Sequence, residues 1–166
     1  MFLVMKKERK RLEKTLHENN IKLNAIGNLN ELPQKAHKEL LDVIEKTKNN
    51  EKLVLTLALS YGSRDEIVKT VREIADKVKN NIISLESIDD SIINEHLYTQ
   101  NLPDVDLLIR TSGEQRISNF LLWQIAYAEL YFTNVLWPDF KKEDLYKAII
   151  NYQNRERRFG KTSEQL

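Results

Sequence analysis

Apolar residues recur along this chain at two spacings, one typical of helices and the other of strands. Helical spacing covers 2–19, 33–49, 63–79 and 142–157, and short apolar runs at 21–26, 53–60, 107–109 and 130–135 predict strands. Strands that alternate with helices in this way pair in parallel through crossover connections. The pattern therefore predicts an α/β fold, a mostly parallel sheet flanked by helices, in a single domain over residues 1–166.

Two segments allow more specific predictions about burial. The run Leu53–Ser60 is almost wholly apolar, which is typical of a strand covered on both faces. The helix after it is predicted to bury a stripe made of Ile67, Val68, Val71, Ile74, Ala75 and Val78.

Asp89-Asp90 is predicted to cap a short helix that runs to Leu97, because no third aspartate completes an Asp-Asp-x-x-Asp pattern.

The stretch 106–129 contains the strongest candidate chemistry. Its strand at 107–109 ends at Arg110, and the small residues 111–113 then form a turn. Ligands of parallel sheets bind beyond the carboxyl ends of strands, and both this turn and Tyr61–Ser63 follow such ends. We therefore expect a binding site at this edge of the sheet.

The residues after the turn indicate what the site binds. Ser118 and Asn119 predict the cap of a helix whose body begins at Phe120. Two guanidiniums, those of Arg110 and Arg116, would join the Ser118 hydroxyl and the N–H groups of that helix start. These groups suit a phosphate, and a diphosphate in particular. The alternative is a solvated surface arginine beside an ordinary helix cap.

Composition limits the classes of function. Lysine and arginine total 26 and aspartate and glutamate 25, so a net charge of +1 gives no reason to expect a nucleic-acid partner. The chain has no cysteine, which excludes a disulfide framework and a thiol nucleophile and permits a cytoplasmic location. No apolar run has the length of a membrane span.

Several ordered motifs resemble the signature of the cis-prenyltransferases. The residues that carry this resemblance are Tyr61–Arg64, Ile109–Glu114, Arg116–Gln124, Tyr127–Phe132, Trp137–Phe140 and Arg155–Gly160. The family condenses isopentenyl diphosphate with an allylic diphosphate in the presence of Mg²⁺, which lengthens a polyprenyl diphosphate through Z double bonds. The resemblance implies the same chain elongation for this sequence.

The resemblance also implies roles for individual residues. Residues that match Arg110, Arg116 and Ser118 bind the diphosphate of isopentenyl diphosphate in the family, and we expect Ile117 between them to be substrate-binding as well. The residue that matches Glu129 is assigned to the Mg²⁺ site. Arg158 and Gly160 match an Arg-x-Gly motif that reaches the partner's site in family dimers, so we expect a substrate-binding role for both and a homodimer. A transient membrane-surface contact through the lipid product is expected as well.

This sequence departs from the family pattern at two places. Gln115 stands where close bacterial relatives often have histidine. The larger departure is that the N-terminal Asp-Gly-Asn-Gly-Arg-Trp loop is absent from this chain, and with it the family's catalytic aspartate. The uncapped apolar start Phe2–Met5 suggests that the chain begins inside a helix. We therefore expect the chain to resemble the later two-thirds of the family and to be inactive alone.

Two other functions compete with this interpretation. Heteromeric family members include a non-catalytic subunit that lacks the Asp loop, although such subunits usually lose the Arg-Thr-Ser-Gly-Glu block that is intact at 110–114 here. A generic phosphate-binding α/β domain is the other alternative. Neither a Gly-x-x-x-x-Gly-Lys loop nor a Gly-x-Gly-x-x-Gly fingerprint supports a nucleotide site.

Overall fold

A computed structural model describes the backbone of residues 5–155 and the side chains of residues 11–155. The described chain forms two compact units, divided after residue 100. The helices are α1 (Met5–Glu18), α2 (Gln34–Thr47), α3 (Ser63–Lys79), α4 (Asp90–His96) and α5 (Lys142–Gln153); the strands are β1 (Ile21–Ile26), β2 (Leu53–Ala58), β3 (Leu107–Arg110) and β4 (Glu129–Phe132). Short 3₁₀ turns lie at Leu29–Glu31, Leu85–Ser87 and Trp137–Asp139. The α/β architecture with parallel pairing is as predicted, and the single domain stays a prediction.

The first unit is built on the parallel pair β1–β2, with Ile21 beside Leu53 and Ile26 beside Ala58. Its core is formed where α1 and α2 pack on β1, around Leu16, Leu23 and Val43, each no more than 3% exposed. The fully buried Thr47 hydroxyl donates to Val43 O at 2.9 Å and accepts from Leu23 N at 3.0 Å. In the described chain no strand lies beside β1 at this edge, and the Thr47 hydroxyl of α2 satisfies the Leu23 N–H there.

The prediction that β2 is covered on both faces is wrong for the described residues. Leu53 is 55% exposed and Val54 50% exposed. The reason is that β2 pairs with β1 alone in the described chain, so its other edge and much of its apolar surface meet no second strand. An apolar run shows that a strand can be buried on both faces. Whether it is buried depends on the strands and helices that pack against it.

The predicted buried stripe of α3 is wrong in part, because Ile74 is buried and Ile67 and Val78 are half-buried but the other three residues are not. Val68, Val71 and Ala75 are exposed, whereas the buried residues of the helix are Ser63, Glu66, Thr70 and Ile74. Three of these four are polar, and their spacing of three and four residues still defines one helix face. The polar stripe is buried because it has hydrogen-bond partners: Thr70, for example, donates to His96 O at 3.1 Å in α4.

The second unit is built on the parallel pair β3–β4, with Leu107 beside Glu129 and Arg110 beside Phe132. The prediction of a helix beginning at Phe120 is wrong, because residues 118–127 form consecutive turns. Ser118, Asn119 and Leu121 have φ values of 48°, 61° and 51°. Left-handed residues break the right-handed hydrogen-bond ladder of a helix, so the apolar periodicity of this stretch cannot become one.

The structure also tests the predictions for the first strand, the cap at Asp89 and the last helix. The strand at Ile21–Ile26 is confirmed at both ends, and the cap at Asp89 is confirmed because its carboxylate accepts from Ile92 N at 2.9 Å. The last helix ends at Gln153, four residues earlier than predicted, and Arg158 and Gly160 lie outside the described residues. None of the described helices combines the length and apolar character that crossing a membrane requires.

Candidate functional site

The turn after β3 is held in place by main-chain hydrogen bonds. Ser112 N donates to Val135 O at 2.8 Å, Gly113 N donates to Thr133 O at 2.9 Å, and Thr133 N donates to Arg110 O at 2.9 Å. These bonds extend the β3–β4 pairing beyond the last residue of each strand. Arg110 therefore stands at the carboxyl end of a parallel strand, as the sequence predicted, on backbone that both strands position.

Backbone conformation explains why small residues occupy this turn. Ser112 and Gly113 both have a φ of 70°, in the left-handed region. A Cβ atom added at Gly113 would lie 3.1 Å from Asn134 Oδ1, so little space is left for a side chain. Glycine adopts this conformation without steric cost. The small residues at 111–113 thus permit the close approach of the turn to 133–135.

Arg110 also lines an apolar cavity of about 390 Å³. The other lining residues are Val105, Leu107, Leu108, Ile109, Ile117, Phe120 and Leu121, all of them apolar. In the part of the chain that the structure describes, Arg110 Nε is buried and has no hydrogen-bond partner. Because a buried donor without an acceptor is costly, this atom indicates a place for an acceptor that the cavity can admit.

The structure does not bring all the predicted diphosphate ligands to this cavity. Ile117 lines it, but Arg116 and Ser118 are exposed and are not among its lining residues. Arg116 Nη1 donates to Glu114 Oε2 in a surface ion pair. The helix start expected to add N–H donors is replaced by turns, and Gln115 is exposed. Arg110 is therefore the one predicted cation found at the cavity within 101–155.

Glu129, the predicted metal ligand, lies away from Arg110. It pairs with Leu107 at the beginning of the β3–β4 pair, whereas Arg110 pairs with Phe132 at its end. Three residues of extended chain separate the two positions, about 10 Å along the strands. Because side chains alternate between faces, Glu129 and Arg110 also point to opposite faces of the pair.

The cis-prenyltransferase resemblance implies Mg²⁺, so the fit of the described residues to this ion can be tested. Within 11–155, no group of three or more histidine, aspartate and glutamate side chains is placed to hold a metal ion. Glu129 Oε2 already accepts from Arg155 Nη1 at 2.7 Å. The described residues therefore show no group of three metal-ligating side chains, and the Mg²⁺ role of Glu129 stays a prediction.

A buried acid that the sequence did not single out lies at the carboxyl end of β2 in the first unit. Glu66 is 1% exposed, accepts from Tyr61 OH at 2.6 Å through Oε2, and accepts from Tyr98 N at 2.8 Å through Oε1. Burial raises the pKa of the Tyr98 phenol, and the Lys69 ammonium, 4.8 Å from its ring centroid, opposes this shift. The only available signal was the polar spacing of Glu66 with Thr70 along α3.

The described chain is thus an α/β protein with an arginine at the carboxyl end of a parallel strand, beside an apolar cavity. Residues 1–160 match the family model described as "Putative undecaprenyl diphosphate synthase". The chain belongs to the cis-prenyltransferase family.

Individual relatives agree with this assignment. An isoprenyl transferase of Clostridium tetani is 50% identical over 145 residues, which cover 87% of this chain and 57% of the relative. A ditrans,polycis-undecaprenyl-diphosphate synthase of Micrococcus luteus, farnesyl-diphosphate specific, is 50% identical over 87% of this chain and 58% of its own. The chain therefore spans less than two thirds of the length of these curated relatives.

The fold agrees as well. Lavandulyl diphosphate synthase from Lavandula x intermedia, solved in complex with dimethylallyl diphosphate, matches with a TM-score of 0.89 and 37% identity. The match covers 92% of this chain and 66% of that structure.

Proposed function

We propose that this chain carries the isopentenyl-diphosphate-binding part of a cis-prenyl chain-elongating transferase of the undecaprenyl diphosphate synthase type. The observation that carries the proposal is the buried Arg110 Nε, without a hydrogen-bond partner among the described residues, beside an apolar cavity. A diphosphate supplies acceptors for the guanidinium, and a five-carbon alkene is apolar enough for the cavity. The names of the relatives support the same substrate class.

The proposed reaction joins the alkene carbon of isopentenyl diphosphate to the allylic carbon of the second substrate. The allylic carbon–oxygen bond breaks, its diphosphate leaves, and a proton is lost from the new prenyl unit. Arg110 binds the diphosphate of the incoming alkene, and the cavity excludes water from the hydrocarbon. The proposed cofactor is Mg²⁺, which Glu129 would help to hold and which would supply positive charge to the diphosphate groups. Arg116, Ile117, Ser118, Arg158 and Gly160 stay proposed substrate contacts, and Glu129 stays the metal ligand that the family resemblance implies.

The first prediction concerns Arg110, tested by isothermal titration of the full chain with isopentenyl diphosphate. Arg110→Met should weaken binding about tenfold or more, because hydrogen bonds to charged groups are worth roughly 1.5–3 kcal/mol. Arg110→Lys should weaken it less, since lysine keeps the charge but loses the forked geometry. Arg72→Met, an exposed arginine of α3, is the matched control and should bind like the wild type.

Titration with inorganic diphosphate separates the contribution of Arg110, which binds the diphosphate, from that of the apolar cavity, which binds the alkene. Inorganic diphosphate should bind more weakly than isopentenyl diphosphate, since each buried CH₂ group contributes about 0.8 kcal/mol. Equal affinity of Arg110→Met and the wild type, or equal losses in the Arg110 and Arg72 variants, would contradict the proposal.

The second prediction concerns turnover. We propose that the 166-residue chain is inactive alone, because the Asp-Gly-Asn-Gly-Arg-Trp loop of the family is absent from it. Incubation with isopentenyl diphosphate, farnesyl diphosphate and Mg²⁺ should yield no longer prenyl diphosphate, with the Micrococcus luteus relative as the positive control. Chain elongation at a rate similar to that relative would contradict this prediction.

A homodimer, a cytoplasmic location and transient membrane contact through the lipid product complete the proposal. Sedimentation of the chain alone tests the homodimer. Mixing it with a full-length homologue tests the rival function, a non-catalytic subunit of a heteromeric prenyltransferase, which requires a stable heterodimer. If binding of isopentenyl diphosphate depends on Arg110, the chain is favoured as part of an enzyme. A non-catalytic subunit would not need to bind this substrate.

A further inference from the structure

The buried carboxylate of Glu66 accepts hydrogen bonds from two segments that are distant in sequence. Its Oε2 atom accepts from Tyr61 OH at 2.6 Å, in the loop after β2 (59–62), here called the β2 loop. Its Oε1 atom accepts from Tyr98 N at 2.8 Å, in the connecting segment (97–106) between α4 and β3. Glu66 is only 1% exposed, so water competes little for these contacts. One side chain of α3 thus joins the β2 loop to the connecting segment.

The β2 loop is held at two points. At its beginning, Ser60 O accepts from Asn28 N at 3.1 Å, which binds the loop to the chain after β1. Ser60 has a φ of 45°, in the left-handed region that is costly for a residue with a Cβ atom. One residue further on, the hydrogen bond from Tyr61 OH to Glu66 binds the loop to α3. The loop therefore has a defined shape that depends in part on Glu66.

The connecting segment begins on the same face of α3. Leu97, its first residue, is 2% exposed, and the residue before it is fixed because His96 O accepts from Thr70 Oγ1 at 3.1 Å. The hydrogen bond from Tyr98 N to Glu66 adds a further contact with the helix. Tyr98 lies close to the point after residue 100 at which the chain divides into its two compact units. Glu66 thus helps to fix the chain just before it leaves the first unit.

A shared acceptor makes the two hydrogen bonds interdependent. Both oxygens belong to one planar carboxylate, so loss of the donor on one side leaves the whole group freer to turn and weakens the bond on the other. The effect is large in a buried site, because a carboxylate forms strong hydrogen bonds there and a missing donor is costly. The rings of Tyr61 and Tyr98 also meet edge to face, with centroids 6.4 Å apart and planes inclined at 65°.

We propose that Glu66 is a positioning residue that couples the β2 loop to the connecting segment. Any contact that orders the loop through Tyr61 then also orders the chain at Tyr98, and loosening of either one loosens the other. The β2 loop follows the carboxyl end of a parallel strand, and the connecting segment leads into β3, whose last residue is Arg110. The coupling does not depend on whether Arg110 binds a diphosphate.

The coupling is tested by amide hydrogen exchange in the full chain, measured for single residues by NMR. Tyr61→Phe removes only a phenol hydroxyl and should speed exchange at the Tyr98 amide about threefold or more, although that hydroxyl is not bonded to this amide. Tyr98→Phe is the matched control. It keeps the backbone N–H that donates to Glu66 and removes a hydroxyl that makes neither bond, so exchange at residue 98 should stay within twofold.

A second variant tests the shared acceptor itself. Glu66→Met has a side chain of similar length without an acceptor oxygen, and it should speed exchange at residue 98 about tenfold. Adding Tyr61→Phe to this variant should change the rate by less than twofold, because the group through which Tyr61 acts is then missing. A further acceleration of threefold or more in the double variant would show that the two contacts are independent, which would overturn the proposal.

The Leu23 amide separates a local effect from a loss of stability of the whole first unit, because it donates to the buried Thr47 hydroxyl in the core. In Tyr61→Phe its exchange should stay within twofold of the wild type. Equal acceleration at Leu23 and Tyr98, or unchanged exchange at Tyr98, would overturn the proposal. The titrations of Arg110→Met with isopentenyl diphosphate bear only on the substrate site, so failure of one proposal is distinguishable from failure of the other.

Discussion

Gly113 and Ser112 share a φ of 70°, but only glycine adopts that conformation without strain. Gly113→Ala should lower the free energy of unfolding by about 1–2 kcal/mol, because left-handed backbone is costly for a residue with a Cβ atom. The new Cβ would also lie 3.1 Å from Asn134 Oδ1. Ser112→Gly should have the opposite effect and stabilise the turn. Urea denaturation of both variants measures the difference.

The same two variants connect the turn to binding. Gly113→Ala should weaken isopentenyl diphosphate binding, because the turn sets the position of Arg110, whereas Ser112→Gly should preserve it. Equal stability of Gly113→Ala and the wild type would contradict the strain argument. A destabilised Ser112→Gly would contradict it as well.

At the scale of single residues, the sequence predicted what depends on local chemistry. Arg110 at the end of a strand and Asp89 as a helix cap were both correct, because neighbouring residues define them. The ion pair of Arg155 with Glu129 joins residues that are 26 positions apart. No local pattern specifies such a pair, so only the folded chain could show it.

Among the elements, α5 has a distinctive N-terminus. Asp144 Oδ2 accepts from Lys141 N at 3.0 Å, and Asp144 Oδ1 accepts from Lys147 Nζ at 3.1 Å. The hydrogen bond from the Lys141 backbone, followed by that from Lys147, holds the pKa of Asp144 below its ordinary value of 3.8. These contacts make the start of the helix sensitive to acid.

The predicted pH dependence follows from the direction of that shift. A lowered carboxyl pKa stabilises the fold fully above pH 3.8, and the contribution is lost as the pH falls through the lowered value. Asp144→Asn should therefore speed amide exchange at the start of α5 at pH 6 and make little difference to it near the acid limit. Exchange measured at several pH values checks this. An effect of Asp144→Asn that grows towards low pH would contradict the assignment.

The boundaries of an element could be predicted where the apolar periodicity and the turn-forming residues agreed, as at β1. The prediction was wrong where the backbone conformation did not follow the periodicity. A helix was predicted to begin at Phe120, but left-handed backbone at Ser118, Asn119 and Leu121 makes residues 118–127 turns. The buried face of α3 failed for another reason. The buried face of this helix is a polar one that includes Glu66 and Thr70, because these side chains have hydrogen-bond partners. Hydrophobicity alone does not encode such partners.

At the scale of the whole described chain, the exposed apolar residues of β2 form a surface that can self-associate. Val54 is 50% exposed, so Val54→Thr should reduce binding of the dye ANS and self-association while changing the free energy of unfolding by less than about 0.5 kcal/mol. Leu23→Thr, in the core at 2% exposure, is the comparison and should cost about 2–4 kcal/mol. Comparable losses of stability in the two variants would show that β2 is covered in solution.

The sequence predicted parallel pairing and the α/β class but not the division into two strand pairs. Apolar runs indicate that strands exist, whereas partner choice depends on contacts distant in sequence, such as Ile21 beside Leu53. The same limit applies to the site. The sequence indicated Arg110 and Ile117, which line the cavity, but gave no sign that Arg116 would pair with Glu114 on the surface.

The bonds that hold the turn after β3 run between main-chain atoms, and this has a consequence for evolvability. Because Ser112 N and Gly113 N donate to carbonyls of residues 135 and 133, the shape of the turn is independent of the exposed side chains that follow it. Substitutions at the exposed Gln115 can then change local charge without moving Arg110. A homologue can therefore vary at this position, and an engineer can change it, while the backbone that carries Arg110 keeps its shape.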